Sequence, residues 1–285
     1  FSGISRKNLE SFSEFAAAVR AHDWPRHIAI QFAPESKRGD LTALFVFNAE
    51  IDRITRNASD PLPGEIRLQW WREVLNGERE GEARRHPLAS VLLDVIHQHD
   101  LPLGTFGRFL EAKTFALYHD AFPDTHSFEA WCGETEGALL QIAALILDPV
   151  AAANASDASG HGSIVLATGS IFSQLPRMRA KGQCWLPADL LSACGLTREA
   201  FFEGNDSAAM ANAMSAMAEQ GLKHFRMYSE TVKRLPKSLR PAYLPVHAGL
   251  VALERVANKP GDVFADGVSV SNLRKFLSMA RAAIF

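Results

Sequence analysis

The chain has 285 residues, 47% of them hydrophobic and 22% charged, a composition that excludes a disordered tail and lets the chain bury a large core. Its net charge of −2 gives no global electrostatic reason to bind nucleic acid. Three cysteines, Cys132, Cys184 and Cys194, with no CxxC spacing imply neither a disulfide framework nor a zinc knuckle and fit a reducing, non-secreted setting. No apolar run approaches the roughly 18–20 residues of a transmembrane helix. The chain begins at Phe1, which leaves a removed targeting peptide open.

In chain order, the first stretch rich in chemistry is 44–75, "LFVFNAEIDRITRNASDPLPGEIRLQWWREVL". On a helix, Asp52 and Arg56 stand at i, i+4, an ordinary surface ion pair worth about 0.2–0.5 kcal/mol. Glu50, two positions from Asp52, faces about 200° away. Trp70 and Trp71 are adjacent and cannot share a helical face, so core packing accounts for at least one of them. "HPLASVLLDVIHQHD" sets Leu88, Val91, Leu92, Val95 and Ile96 on one helical face. His97 and His99, two apart, are poor joint metal ligands. A helix from an N-cap at Ser127 runs to Leu147, where Asp148-Pro149 ends it. Residues 148–162, rich in Ala, Asn, Ser, Asp and Gly, read as a flexible loop. Gly160-His161-Gly162 follows no strand and does not make a dinucleotide loop.

Residues 174–187, "QLPRMRAKGQCWLP", gather Arg177, Arg179 and Lys181 in what reads as a solvated basic turn or an anion site. A long helix lies within 206–236, its Met210, Met214 and Met217 stripe filling core. The last helix starts from Ser269 or Ser271. Strict two-residue alternation is nearly absent, which predicts one all-α domain over 1–285 with roughly a dozen helices.

Five phrases in order carry a resemblance. Phe45-Val46-Phe47 then Asp52 then Trp71-Arg72, "HPLASVLL", "LPLGTFGRFLEAKTFALY", "AWCGETEGALLQIAALIL" and "GQCWLPADLL" resemble the squalene/phytoene synthase family. The resemblance implies a single-domain, multi-helix bundle with a central cavity. It also implies prenyl transfer between isoprenoid diphosphates, driven by magnesium ions held between two carboxylate clusters. Against that pattern, Arg56 stands where the first cluster has its second Asp. Glu111 matches one acid of the next helix, and Ala116 stands at the other. Between Gln174-Leu175 and Gly182 the second cluster has no acids and about seven residues, near two helical turns, fewer than the family.

The expectation is therefore a divergent member with no metal and no cofactor, magnesium entering only if an active prenyl transferase survives with rearranged ligands. The catalytic candidates for that alternative are Asp52, Glu50 and Glu111, with Glu134 and Glu136 as a relocated acid pair. The expected ligand is a prenyl diphosphate or acidic lipid in the cavity, met by Asp52, Arg56, Trp71, Gln174, Arg177, Arg179 and Lys181. One branch of the family, which includes a mitochondrial assembly factor for respiratory complex I, shares the "FNAE" phrase at Phe47–Glu50 and the loss of acids. That branch implies a protein or peripheral membrane partner, in the cytoplasm or the mitochondrial matrix.

Overall fold

The computed structural model describes residues 6–57, 60–118, 121–204 and 206–284. Along them run α1 (Arg6–His22), α2 (Trp24–Gln31), α3 (Glu35–Asn57), α4 (Pro61–Leu75), the single turn α5 (Glu80–Ala83), α6 (Pro87–Gln98), α7 (Leu103–Thr114) and α8 (Thr125–Cys132). A π-helical turn, Gly133–Gly137, leads into α9 (Ala138–Leu147) and the short α10 (Pro149–Ala152). Then come α11 (Ser156–Ala180), α12 (Ala188–Ala193), α13 (Arg198–Glu203), α14 (Ser207–Val232), α15 (Arg240–Tyr243), α16 (Val246–Asn258), α17 (Val263–Asp266) and α18 (Asn272–Ile284). No strand occurs among the described residues, as the missing alternation predicts.

Several helix starts are written locally. At Asp60-Pro61 and Asp148-Pro149 the carboxylate accepts the backbone N–H of Leu62 (2.9 Å) and of Ala151 (3.0 Å). The proline that follows takes the first helical position, where no N–H is needed. His86-Pro87 opens α6 in the same way, the imidazole Nδ1 accepting from Ala89 N–H at 3.2 Å. Ser127, expected as an N-cap, lies inside α8. The cap is Asp124, whose carboxylate takes the Ser127 N–H at 2.7 Å. The expected flexible loop 148–162 is mostly helical, because Asp148 caps α10 and α11 begins at Ser156.

Contacts divide the chain into two compact units, each assembled from separated stretches. The first holds the chain up to Tyr118, Gln141–Ala153 and Lys237–Ala242. Its centre is Phe47 on α3, fully buried and edge-on to Trp71 of α4 with ring centroids 5.0 Å apart. The same ring meets Phe106 and Phe109 of α7 at 5.9 and 5.7 Å. Trp71 is thus core, whereas Trp70 is half-buried and donates its indole N–H to Glu82 at 2.9 Å.

The second unit holds His119–Leu140, Asn154–Pro236 and Tyr243–Phe285. Here α11 packs against α14 and α16. The α11–α16 crossing is glycine on glycine: a Cβ at Gly169 would lie 3.1 Å from the Gly249 Cα, and one at Gly249 only 2.8 Å from the Val165 carbonyl oxygen. Met210, Met214 and Met217 are buried, as their spacing predicts. Pro176 sits inside α11. Proline cannot donate to the carbonyl four residues back, and that group, Phe172 C=O, accepts the Val268 N–H instead at 3.1 Å. The helix therefore continues to Ala180.

The Gly249 contact is with backbone, which cannot rotate away. Gly249→Ala should lower stability by about 1–3 kcal/mol in urea unfolding. Gly107→Ala on α7, where a Cβ meets nothing within 4 Å, should be neutral or raise it by up to about 1 kcal/mol.

Candidate functional site

Asp52 does not sit on the surface. Its residue is buried, on the face of α3 turned toward α1 and α7, and three side chains close around its carboxylate. Lys113 of α7, itself buried, places its ammonium 2.7 Å from Oδ1 and 5.3 Å from the Phe109 ring centroid. His22 of α1 donates Nε2–H to Oδ2 at 2.9 Å. Arg56, one turn along α3, reaches Oδ2 at 3.4 Å. Burial alone would push the carboxyl up. The Lys113 charge, the His22 hydrogen bond and the Arg56 charge outweigh it and hold the group far below the usual carboxylate range. Asp52 is therefore a permanent anion inside a cationic cage. Lys113 was not among the residues singled out in the sequence, where the acids of its helix drew attention instead.

The remaining candidates scatter. Glu50 is turned to Arg53, which holds it through two hydrogen bonds of 2.9 and 2.7 Å. Glu111 is exposed on α7. Gln174 donates to Ser170 Oγ at 2.7 Å on its own helix. Glu134 and Glu136 are half-buried in the π-helical turn, on either side of the buried Thr135.

The basic trio is not a turn. Arg177 and Arg179 belong to the last turn of α11, and Lys181 is its C-cap. Arg177 and Lys181 are exposed, i, i+4 neighbours, and Lys181 is lowered from its ordinary pKa by burial and by the Arg177 charge. Arg179 points elsewhere. Its guanidinium lies 5.5 Å from both the Phe201 and Phe264 ring centroids and donates to the Phe202 carbonyl at 3.1 Å. Two residues apart is about 200° around a helix, so Arg179 parts from the other two. α11 runs 25 residues, through Leu175 to Ala180. Its sole acid is Asp157, in the first turn.

Residues 19–274 match the model of the squalene/phytoene synthase family. The chain belongs to that family. Among curated proteins it is 22% identical over 264 residues to assembly factor 6 of NADH dehydrogenase (ubiquinone) complex I from Mus musculus, covering 92% of this chain and 78% of that one. The Homo sapiens protein of the same name is 21% identical over 257 residues, covering 89% and 76%. Among solved structures, squalene synthase HpnC from Alicyclobacillus acidocaldarius superposes with a TM-score of 0.75 at 17% identity, over 91% of this chain and 97% of that one. A ligand-bound dehydrosqualene synthase gives 0.79 at 15%, over 97% and 96%. At these identities the two structures establish a shared fold.

The cage around Asp52 does not fit the magnesium that the family resemblance implies. That ion needs several hard oxygen ligands, and here one carboxylate faces an ammonium, a guanidinium and an imidazole N–H. A dication on Oδ1 would have to displace Lys113. Among the described residues, no group of three or more His, Cys, Asp or Glu side chains could hold a metal ion.

The second unit holds a polar chain that the sequence reading passed over. Glu129 of α8 accepts from Gln220 Nε2 at 2.7 Å and from His224 Nε2 at 3.2 Å, both on α14. His224 Nδ1 lies 3.1 Å from His161 Nδ1 on α11. Because a carboxylate only accepts, His224 carries its proton on Nε2 and receives His161 Nδ1–H at the other nitrogen. Burial lowers the His224 pKa, Glu129 opposes that, and His161 lowers it further. The two histidines are 63 residues apart, so no local pattern announces them.

Lys113→Met leaves a buried carboxylate without its principal counter-charge. It should cost about 3–5 kcal/mol in chemical unfolding, with much of that recovered in the Asp52→Asn, Lys113→Met double variant. A second expectation concerns acid. Burial beside Phe225 and Tyr228 pushes His247 down to about 4. The unfolded chain takes up this proton near the ordinary 6.5, the folded one only near 4. The contribution is thus complete above pH about 6.5 and shrinks as pH falls toward about 4, by up to about 3 kcal/mol. Urea midpoints at pH about 7.5 and about 5 should differ less in His247→Phe than in the native chain.

Proposed function

We propose that this chain is a non-catalytic member of the squalene/phytoene synthase family, one functional domain over 1–285, that serves in the assembly of a respiratory complex. Its ligand, in this reading, is a prenyl diphosphate or an acidic lipid held in a central cavity without metal or other cofactor. The observation that carries the loss of catalysis is the Lys113 ammonium 2.7 Å from Asp52. Ionising an allylic diphosphate puts negative charge on the leaving group, and the family route neutralises it with magnesium held from two sides. Here Asp52 is already neutralised by protein, Arg56 stands one turn on, and α11 offers one acid at its first turn. Losing even one well-placed charge-stabilising group commonly costs about 10²–10³ in rate.

The assembly half of the proposal is supported by the mammalian relatives, whose names are those of complex I assembly factors and which match over 89–92% of this chain. Among the described residues no helix is long and apolar enough to cross a membrane, which is compatible with work at the matrix or cytoplasmic face of one. The ligand half is supported by charge. The Lys113 ammonium and the Arg56 guanidinium are the cationic groups that an anion at this cage would meet.

Two assays test the reading. Purified protein incubated with farnesyl or geranylgeranyl diphosphate, magnesium or manganese, and NADPH should yield no apolar condensation product. Arg56→Asp should not restore one, because Lys113 still occupies Asp52. Metal-dependent squalene, phytoene or cyclopropyl precursors over multiple turnovers would establish the prenyl transferase alternative, with ligands drawn from Glu50, Glu111, Glu134 or Glu136. Depleting the protein in its host should lower the amount of assembled complex I on native gels, and an unchanged amount contradicts the assembly role.

A further inference from the structure

The strongest unexplained surface is α18. It packs against α16 through a fully buried Met279, yet carries four of the large apolar side chains that the described surface exposes. Leu273 is 66% exposed, Phe276 38%, Leu277 49% and Ile284 72%. At about 100° per residue these four and Ala280 fall within an arc of about 100°, next to the face that holds Met279. Arg274 and Arg281 bound the far edge of that arc, both exposed. Lys275 is the third cation, and the helix Asn272–Ile284 contains no acidic residue.

The geometry points to α18 as a membrane-surface helix that lies in the interface of an anionic lipid bilayer. An apolar arc with cations along its margin is the arrangement such helices use, side chains entering the acyl boundary while arginines reach phosphate headgroups. Thirteen residues make a rod of about 20 Å, far short of a span, so the helix lies flat. Charge decides between a bilayer and a second copy of the chain. A two-fold contact through this face would bring Arg274 and Arg281 of both copies together with no acid on either helix to answer them. Anionic headgroups supply that missing charge.

The test is vesicle flotation of the full chain. At about 0.1 M salt it should bind phosphatidylcholine vesicles containing about a third phosphatidylglycerol, and bind pure phosphatidylcholine far less. Raising salt to about 0.5 M should weaken binding. Leu273→Glu with Leu277→Glu, and separately Arg274→Glu with Arg281→Glu, should each lower the apparent affinity on the order of tenfold or more. All four residues are exposed, so circular dichroism and the thermal midpoint should not change in either variant. No flotation of the native chain with anionic vesicles, or native-like flotation of the Leu pair, overturns the inference. A native dimer that dissociates in the Leu pair, with no flotation, overturns it in favour of a second copy. The outcome is independent of whether the chain catalyses or assembles anything.

Discussion

A carboxylate taken out of water must be neutralised, and at Asp52 the neutralising charge is a lysine from another helix. The pair ties α3 to α7, and the His22 hydrogen bond adds α1, so three helices of the first unit converge on one carboxylate. In this chain the Lys113 ammonium answers the Asp52 charge from within the fold, so the carboxylate helps to hold the first unit together.

The second unit uses its polar groups in a similar way. Arg179 lies against the Phe201 and Phe264 rings, the proline-freed Phe172 carbonyl takes the Val268 N–H, and Glu129, His224 and His161 pass hydrogen bonds among α8, α14 and α11. Each of these satisfies a polar group inside the packing of the unit.

The all-α fold was legible because period-3.6 patterning and the five ordered phrases agree. Asp52 and Arg56 were legible as neighbours because their spacing is local. The cage was not, since Lys113 lies 61 residues on and nothing at its own position marks it. Arg177, Arg179 and Lys181 looked like one basic patch because they are close in sequence, whereas helix geometry divides them by facing. The partner that takes the carbonyl freed by Pro176 is likewise hidden, since Val268 lies 96 residues after Phe172. Sequence exposes what is periodic and near, and hides what two distant segments complete together.

Membership of the family, similarity to complex I assembly factors and a basic amphipathic helix on the surface all accord with the proposal of a protein that works by binding. We propose that Lys113 takes the place of a metal ion at Asp52. Electron paramagnetic resonance of free Mn²⁺ in the presence of the protein and a non-ionisable prenyl diphosphate analogue tests it most directly. The predicted result is a free-ion signal that is the same with the native chain and with Asp52→Asn. Stoichiometric uptake of Mn²⁺ by the native chain, released by Asp52→Asn, would contradict it.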